Sequence, residues 1–200
     1  MSLRFVKKIG SEMSAHFEDL AKLRMTVFKE YPYLYEGSLE YEMEYLQTYA
    51  QSEKALLFAI YDGPQMIGAT TAIPLSDETE ELRKSLDASS LDVHRIFYFG
   101  ESILLKPYRG LGLGHRFMDE REAHAKSFNS YTHTAFCSVV RPENHLLRPD
   151  NYRPNDQFWK KRNYIRQDNW STQMEWIDIN ENLSTFKPMV FWMKAINNNS

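Results

Sequence analysis

The sequence predicts one mixed α/β domain, and three observations carry that reading. Short aromatic and β-branched runs recur along the chain, among them Ala55 to Tyr61, Met66 to Leu75 and Tyr131 to Val140. Between them lie segments whose apolar residues return every three or four positions, the spacing of an amphipathic helix. At the centre the strand-like run YFGESILL feeds a glycine-rich turn that opens a helix. At 200 residues the chain is long enough to bury one core, so residues 1–200 are expected to form a single domain.

Taken in order, Leu3, Phe5, Val6 and Ile9 predict a first strand that ends at Gly10. A helix follows from Ser14, with Phe17, Leu20, Ala21, Val27 and Phe28 in one stripe. Arg24 falls inside that stripe, so its guanidinium either faces a carboxylate or ligand or snorkels outward. Tyr31, Pro32, Tyr33 and Tyr35 break the helix, and a second one, rich in Tyr and Glu, runs from Ser38 to about Gln51. Ala55 to Tyr61 and Met66 to Leu75 form a hairpin across Asp62-Gly63-Pro64. Ser76 to Ser90, polar and acidic with Leu82 and Leu86 four apart, reads as a surface insertion with a short helix.

Ile96, Tyr98, Ile103, Leu104 and Leu105 predict the central strand, which breaks at Lys106 and Pro107. Gly110, Gly112 and Gly114 follow, and Leu113, Phe117, Arg121, His124 and Phe128 then recur at helical spacing. Tyr131 to Val140 is a strand parallel to the central one if that helix is a crossover. The segment RPENHLLRPDNYRPND holds three prolines and resists regular structure. A short helix follows, then two amphipathic strands, roughly Ser171 to Ile179 and Pro188 to Ile196, joined by the loop Asn180 to Lys187. The tail Asn197 to Ser200 is expected to be disordered.

Several function classes lack their footprint. Net charge is −3 and no Lys/Arg run forms a basic stripe, so no nucleic-acid partner is expected. No window approaches 18 apolar residues and the N-terminus has no signal-peptide core, which makes a cytoplasmic protein with no membrane partner the default. Cys137 is the only cysteine and sits in an apolar run, where it reads as a small packing residue rather than a nucleophile. The six histidines form no H-E-x-x-H, and His115 and His124 are nine apart, so no metal is expected.

The glycine turn has a chemistry of its own. The first amides of a helix lack internal partners and the macrodipole places positive charge there, so a glycine-lined helix start receives an anion. Arg109 adds a guanidinium suited to phosphate. The competing reading is a tight turn with no ligand. A P-loop is excluded because His115 and Arg116 follow Gly114, and a Rossmann fingerprint because the glycine spacing is wrong and no acid stands in Tyr131 to Val140.

The turn resembles the acetyl-coenzyme A signature of the GCN5-related N-acetyltransferases, Arg/Gln-x-x-Gly-x-Gly/Ala, with Arg109, Gly112 and Gly114 at its fixed positions. The resemblance implies a mixed sheet of about seven strands with a splayed central pair, flanked by about four helices. It implies acetyl-coenzyme A as acyl donor, with pyrophosphate on the backbone from Arg109 through Gly110, Leu111, Gly112, Leu113 and Gly114 to His115. Ile103, Leu104 and Leu105 would run beside the pantetheine arm. The run DQFWKKRNY resembles the family's Phe-Tyr-x-x-x-Gly-Phe helix, with Phe158 and Trp159 at Phe-Tyr and Asn163-Tyr164 at Gly-Phe. In such proteins the first two helices and the segment between them wall the acceptor site, which points to the cluster Tyr31, Tyr33, Tyr35 and Tyr41, with Arg24 and Glu101, as acceptor-binding residues; ordinary loop packing is the competing reading of the tyrosines.

The expected function is transfer of an acetyl group to a primary amine of a small molecule or peptide. Glu101 is the candidate base, because a carboxylate in an apolar strand is costly unless it is used or turned outward. Trp159 replaces the Tyr that protonates the departing thiolate in many members, and indole is no acid for that task. Tyr152 or Tyr164 would substitute, or no side-chain acid is needed. Two other classes stay open: a coenzyme A-binding module without transfer, and a nucleotide-phosphate binder. The aromatic run MVFWM near the C-terminus offers a surface for a homodimer.

Overall fold

The computed structural model describes residues 2–85 and 91–196; Leu86 of the acidic insertion and the tail 197–200 lie outside the described residues. The chain opens with β1 (Leu3–Ile9), a 3-10 segment (Gly10–His16), α1 (Phe17–Phe28) and α2 (Leu39–Gln51). The hairpin β2 (Leu56–Asp62) and β3 (Gln65–Pro74) follows, then the short α3 (Glu80–Lys84). The central elements are β4 (Ile96–Tyr98), β5 (Ser102–Leu104), α4 (Leu113–Ser127) and β6 (His133–Val139). The chain finishes with α5 (Asp156–Lys161), β7 (Ile165–Trp176) and β8 (Thr185–Ala195).

The eight strands form one mixed sheet, ordered β1-β2-β3-β4-β6-β8-β7, with β5 beside β3. The β4–β6 pair is parallel, and α4 is the crossover that a parallel pair requires. Helices cover both faces, which is why β2 is apolar at successive positions rather than alternating. Leu57, Ala59 and Tyr61 point into the core shared with Leu20 of α1 and Leu46 of α2. On the other face Phe97, Phe99, Phe136 and Trp192 pack with Met118 of α4 and with Phe158 and Trp159 of α5. No helix among the described residues is long and apolar enough to cross a membrane.

The structure corrects three expectations. The central strand is not continuous but broken between Tyr98 and Ser102, so β4 and β5 are separate segments. The last two strands start earlier than their amphipathic patterns suggested: β7 begins at Ile165 and absorbs a register shift between Gln167 and Ser171. The short helices α3 and α5 lie within the two segments where the sequence places short helices. Finally, Met189, Val190, Phe191 and Trp192 are buried because β8 lies between β6 and β7, so that run offers no dimer surface.

Candidate functional site

The site begins where two strands part. β4 and β6 are in register from Ile96/His133 to Tyr98/Ala135, and the Phe99 amide closes the ladder on the Ala135 carbonyl at 2.8 Å. Beyond that point β6 pairs only with β8 and β5 only with β3. A bulge causes the divergence. Gly100 and Glu101 both face Thr71: the Gly100 amide donates to the Thr71 carbonyl (3.2 Å), and the Thr71 amide donates to the Glu101 carbonyl (3.1 Å). Glycine is needed because a Cβ at position 100 would lie 2.1 Å from Tyr49 Oη and 2.6 Å from Thr71 Oγ1.

The bulge sets what β5 presents. Glu101 and Leu105 spend backbone groups on β3, so the alternation of an antiparallel ladder turns the amides and carbonyls of Ser102 and Leu104 to the open edge. Ile103 faces away from that edge, with its side chain buried in the core beneath α1. Leu104 and Leu105 pack with Phe117 and Leu113 of α4.

The glycine turn leaves its backbone amides open. Gly110 (φ 81°) and Gly112 (φ 79°) are left-handed, and Gly112 is the N-cap of α4. A Cβ at either would meet nothing within 4 Å, so backbone conformation, not crowding, demands glycine there. Among the described residues the amides of Gly110, Leu111, Gly112, Leu113 and Gly114 donate to no backbone carbonyl; the ladder resumes with His115 on the Gly112 carbonyl at 3.0 Å. The open cradle and five free donors fit a pyrophosphate. Arg109 departs from expectation. Its guanidinium is held bidentately by Glu30 (2.8 and 3.0 Å) and donates to the Leu104 carbonyl (2.9 Å), rather than pointing freely at the anion site. His115 packs edge-on against Phe158 at 4.9 Å and meets Arg162.

Glu101 and Arg24 prove to be partners. Arg24 donates through Nε to Glu42 and through Nη1 to Glu101, so its head is buried and not snorkelled. Burial works against its charge, but Glu101 and Glu42 outweigh that and keep the guanidinium ionised. Its Cζ lies 4.7 Å from the Tyr45 ring and 5.1 Å from the Phe28 ring. Glu101, 3 % exposed, points inward; its carbonyl also accepts from Thr70 Oγ1 (2.8 Å) and Arg121 Nη1 (3.4 Å). Beside it Tyr49 donates to Glu78 at 2.9 Å, and burial pushes the Glu78 carboxyl up.

The tyrosines divide. Tyr33 leans on Phe28 (4.7 Å), and its hydroxyl lies beside Cys137 and the Val139 backbone on β6; burial raises its pKa and keeps it a neutral donor. Arg141 fixes this turn, donating to the Pro32 and Tyr33 carbonyls and pairing with Asp178 at 2.7 Å. Tyr31 packs edge-on against Tyr152 at 4.7 Å, joining the turn to the proline-rich segment. Tyr35 leans toward Glu42, while Tyr41 is exposed on α2. Tyr164 is 1 % exposed within the second core, and its hydroxyl is engaged by Thr134 (2.9 Å) and Glu122 (3.4 Å). Trp159 packs at a tilt against Phe136 (5.0 Å) and Trp192 (5.1 Å). Asn163 takes the left-handed φ of 68° that the Gly of the short-helix motif would take. Burial pushes the Cys137 thiol up to about 12, which suits packing and not attack.

Glu42, Glu78, Tyr45, Tyr49 and Arg121 escaped the sequence reading. Glu42 had a signal: with Leu46 and Tyr49 it forms the buried stripe of α2, as Arg24 does in α1. Opposite charges on the inward stripes of adjacent helices invite a pair.

No protein-family model matches the chain, and no curated protein matches it either. Solved structures do. NAA60 of Arabidopsis thaliana in complex with acetyl-CoA is 14 % identical, with a TM-score of 0.61 over 98 % of this chain and 100 % of that one. A ribosomal-protein-alanine N-acetyltransferase from Brucella melitensis is 9 % identical, with a TM-score of 0.59 over 98 % and 100 %. A GNAT-family acetyltransferase from Streptococcus pneumoniae is 11 % identical, with a TM-score of 0.56 over 96 % and 100 %. The chain therefore has the fold of the GCN5-related N-acetyltransferases.

Proposed function

We propose that the protein is an acetyl-coenzyme A-dependent N-acetyltransferase of the cytoplasm, passing an acetyl group directly to a primary amine of a small molecule or peptide in a ternary complex. The observation that carries the reading is the parting of β4 and β6 next to five unpartnered amides at the start of α4. Two neighbours of the same fold hold acetyl-CoA in their structures. When bound, acetyl-coenzyme A supplies the activated thioester. The amides of Gly110 to Gly114 hold its pyrophosphate, and the open-edge groups of Ser102 and the Leu104 amide hold its arm. Glu101 takes the proton of the acceptor ammonium, and Arg24 fixes the Glu101 carboxylate. Tyr31 and Tyr33 wall the acceptor. Tyr164 is already engaged by Thr134, so the proton for the thiolate comes from Tyr152, or no side-chain acid is used.

A second reading, a coenzyme A-binding module without transfer, draws on Trp159, which packs with Phe136 and Trp192 where an acid would be needed. A thermal-shift titration with acetyl-coenzyme A, coenzyme A, ATP and NAD tests both. A rise in melting temperature confined to the coenzyme A compounds is expected; a rise with ATP or NAD alone overturns the proposal. Binding without thiol release across an amine panel selects the module.

A further inference from the structure

The acid cluster beneath α1 and α2 is short of positive charge. Glu42, Glu78 and Glu101 are 0, 4 and 3 % exposed, and Arg24 alone is ion-paired with any of them among the described residues. Glu78 is held by neutral donors, the Tyr49 hydroxyl and the Thr79 amide, each at 2.9 Å. Arg121, the other guanidinium nearby, lies over the Phe99 ring at 4.4 Å, donates to Met118 Sδ at 2.7 Å and meets Glu101 at its carbonyl (3.4 Å), with no ion pair to its carboxylate among the described residues. Burying an unmatched carboxylate is expensive, so this arrangement calls for another cation or a proton.

The orphaned atoms say where a cation would go. Glu42 Oε1 and Glu101 Oε1 are both buried and accept no well-formed hydrogen bond among the described residues, although the Tyr35 hydroxyl leans toward the Glu42 carboxylate. Buried carboxylate oxygens are ordinarily satisfied, and two left open on the same pair of side chains define an acceptor set for N–H groups. Tyr45 and Phe28 already flank a cation here, so the walls suit one.

We propose that Glu101 Oε1 and Glu42 Oε1 form an ammonium-recognition site, and that the acceptor is a compact cationic amine carrying no carboxylate of its own. This rests on the transferase reading above and names its substrate class. An acceptor carboxylate would be set against the same excess of negative charge. Arg24 offers it no counter-charge, because Glu42 and Glu101 already match that guanidinium.

Matched pairs of amines that differ only by an α-carboxylate test this: phenethylamine with phenylalanine, pentylamine with norleucine, and 1,5-diaminopentane with lysine. Thiol release from acetyl-coenzyme A and calorimetric binding are both measured. The decarboxylated member of each pair should be favoured by at least about tenfold in kcat/KM and in affinity. Glu42→Gln should shrink that ratio while acetyl-coenzyme A affinity stays unchanged. Equal or better use of the carboxylated members overturns the inference and leaves the transferase standing. Amine binding without any acetyl-coenzyme A binding does the reverse. The wild-type pairs alone decide the matter should Glu42→Gln fail to fold, and absence of amine binding at every member overturns the inference.

Discussion

The glycine turn and the acid cluster flank the same three-residue strand, β5, yet they are built in opposite ways. The turn is made of main chain: consecutive residues with free amides and left-handed glycines, open to solvent. The cluster is made of side chains brought from α1, α2, the segment after β3 and the β4–β5 bulge, and it is closed over. A backbone site depends on conformation and is blocked by adding atoms. A side-chain site depends on charge balance and is broken by removing one partner. Substitutions at the two should therefore fail differently.

The largest effect is expected at Glu101. Glu101→Gln keeps the shape of the side chain but removes the base, and turnover should fall by about 10²–10⁴ with acetyl-coenzyme A affinity intact. An unaltered rate with a genuine acceptor removes Glu101 from the mechanism. Next is Arg24→Met, which leaves two buried carboxylates unmatched and should cost about 3–5 kcal/mol in denaturant unfolding; a cost below about 1 kcal/mol would mean that the cluster is already balanced by protons.

At the turn, Gly112→Asp puts a carboxylate into the pyrophosphate cradle. Affinity for acetyl-coenzyme A should drop on the order of a hundredfold, about 2.7 kcal/mol, in calorimetry. The fold should survive, since a Cβ there meets nothing within 4 Å and only the left-handed φ is strained. Unchanged affinity would move the anion site elsewhere.

The smallest effect belongs to neither region and serves as their control. Burial lowers the pKa of His16, His124 and His133 below the usual histidine value. A depressed folded pKa means that stability is present above about pH 6.5 and is lost as pH falls through it. The melting temperature should decline on acidification from neutrality. His124 Nε2 donates to the Lys54 carbonyl at 2.8 Å, so His124→Gln, which can keep a donor, should flatten part of that decline. An unchanged slope would clear His124 of the effect.

Much of the fold was legible because it is local. The apolar runs of β1 and β2, the Asp62-Gly63-Pro64 turn and the stripes of α1, α2 and α4 depend on neighbours within one or two turns of chain. The early starts of β7 and β8 were not, since Ile165 and Phe186 are exposed and only pairing with the adjacent strand makes those residues extended.

The sequence by itself determined the open glycine turn, because left-handed glycines followed by a helix start are a property of consecutive residues. It also placed Arg24 on an inward stripe and Glu101 within an apolar run. Only the tertiary structure decided that these two charges meet across 77 positions of chain, and that Arg109 turns to Glu30 across 79. The strand break that re-aims Glu101 belongs to the same class. Its cause is the approach of Tyr49 and Thr71 to Gly100, and propensity cannot report contacts between segments that touch only once the sheet is assembled.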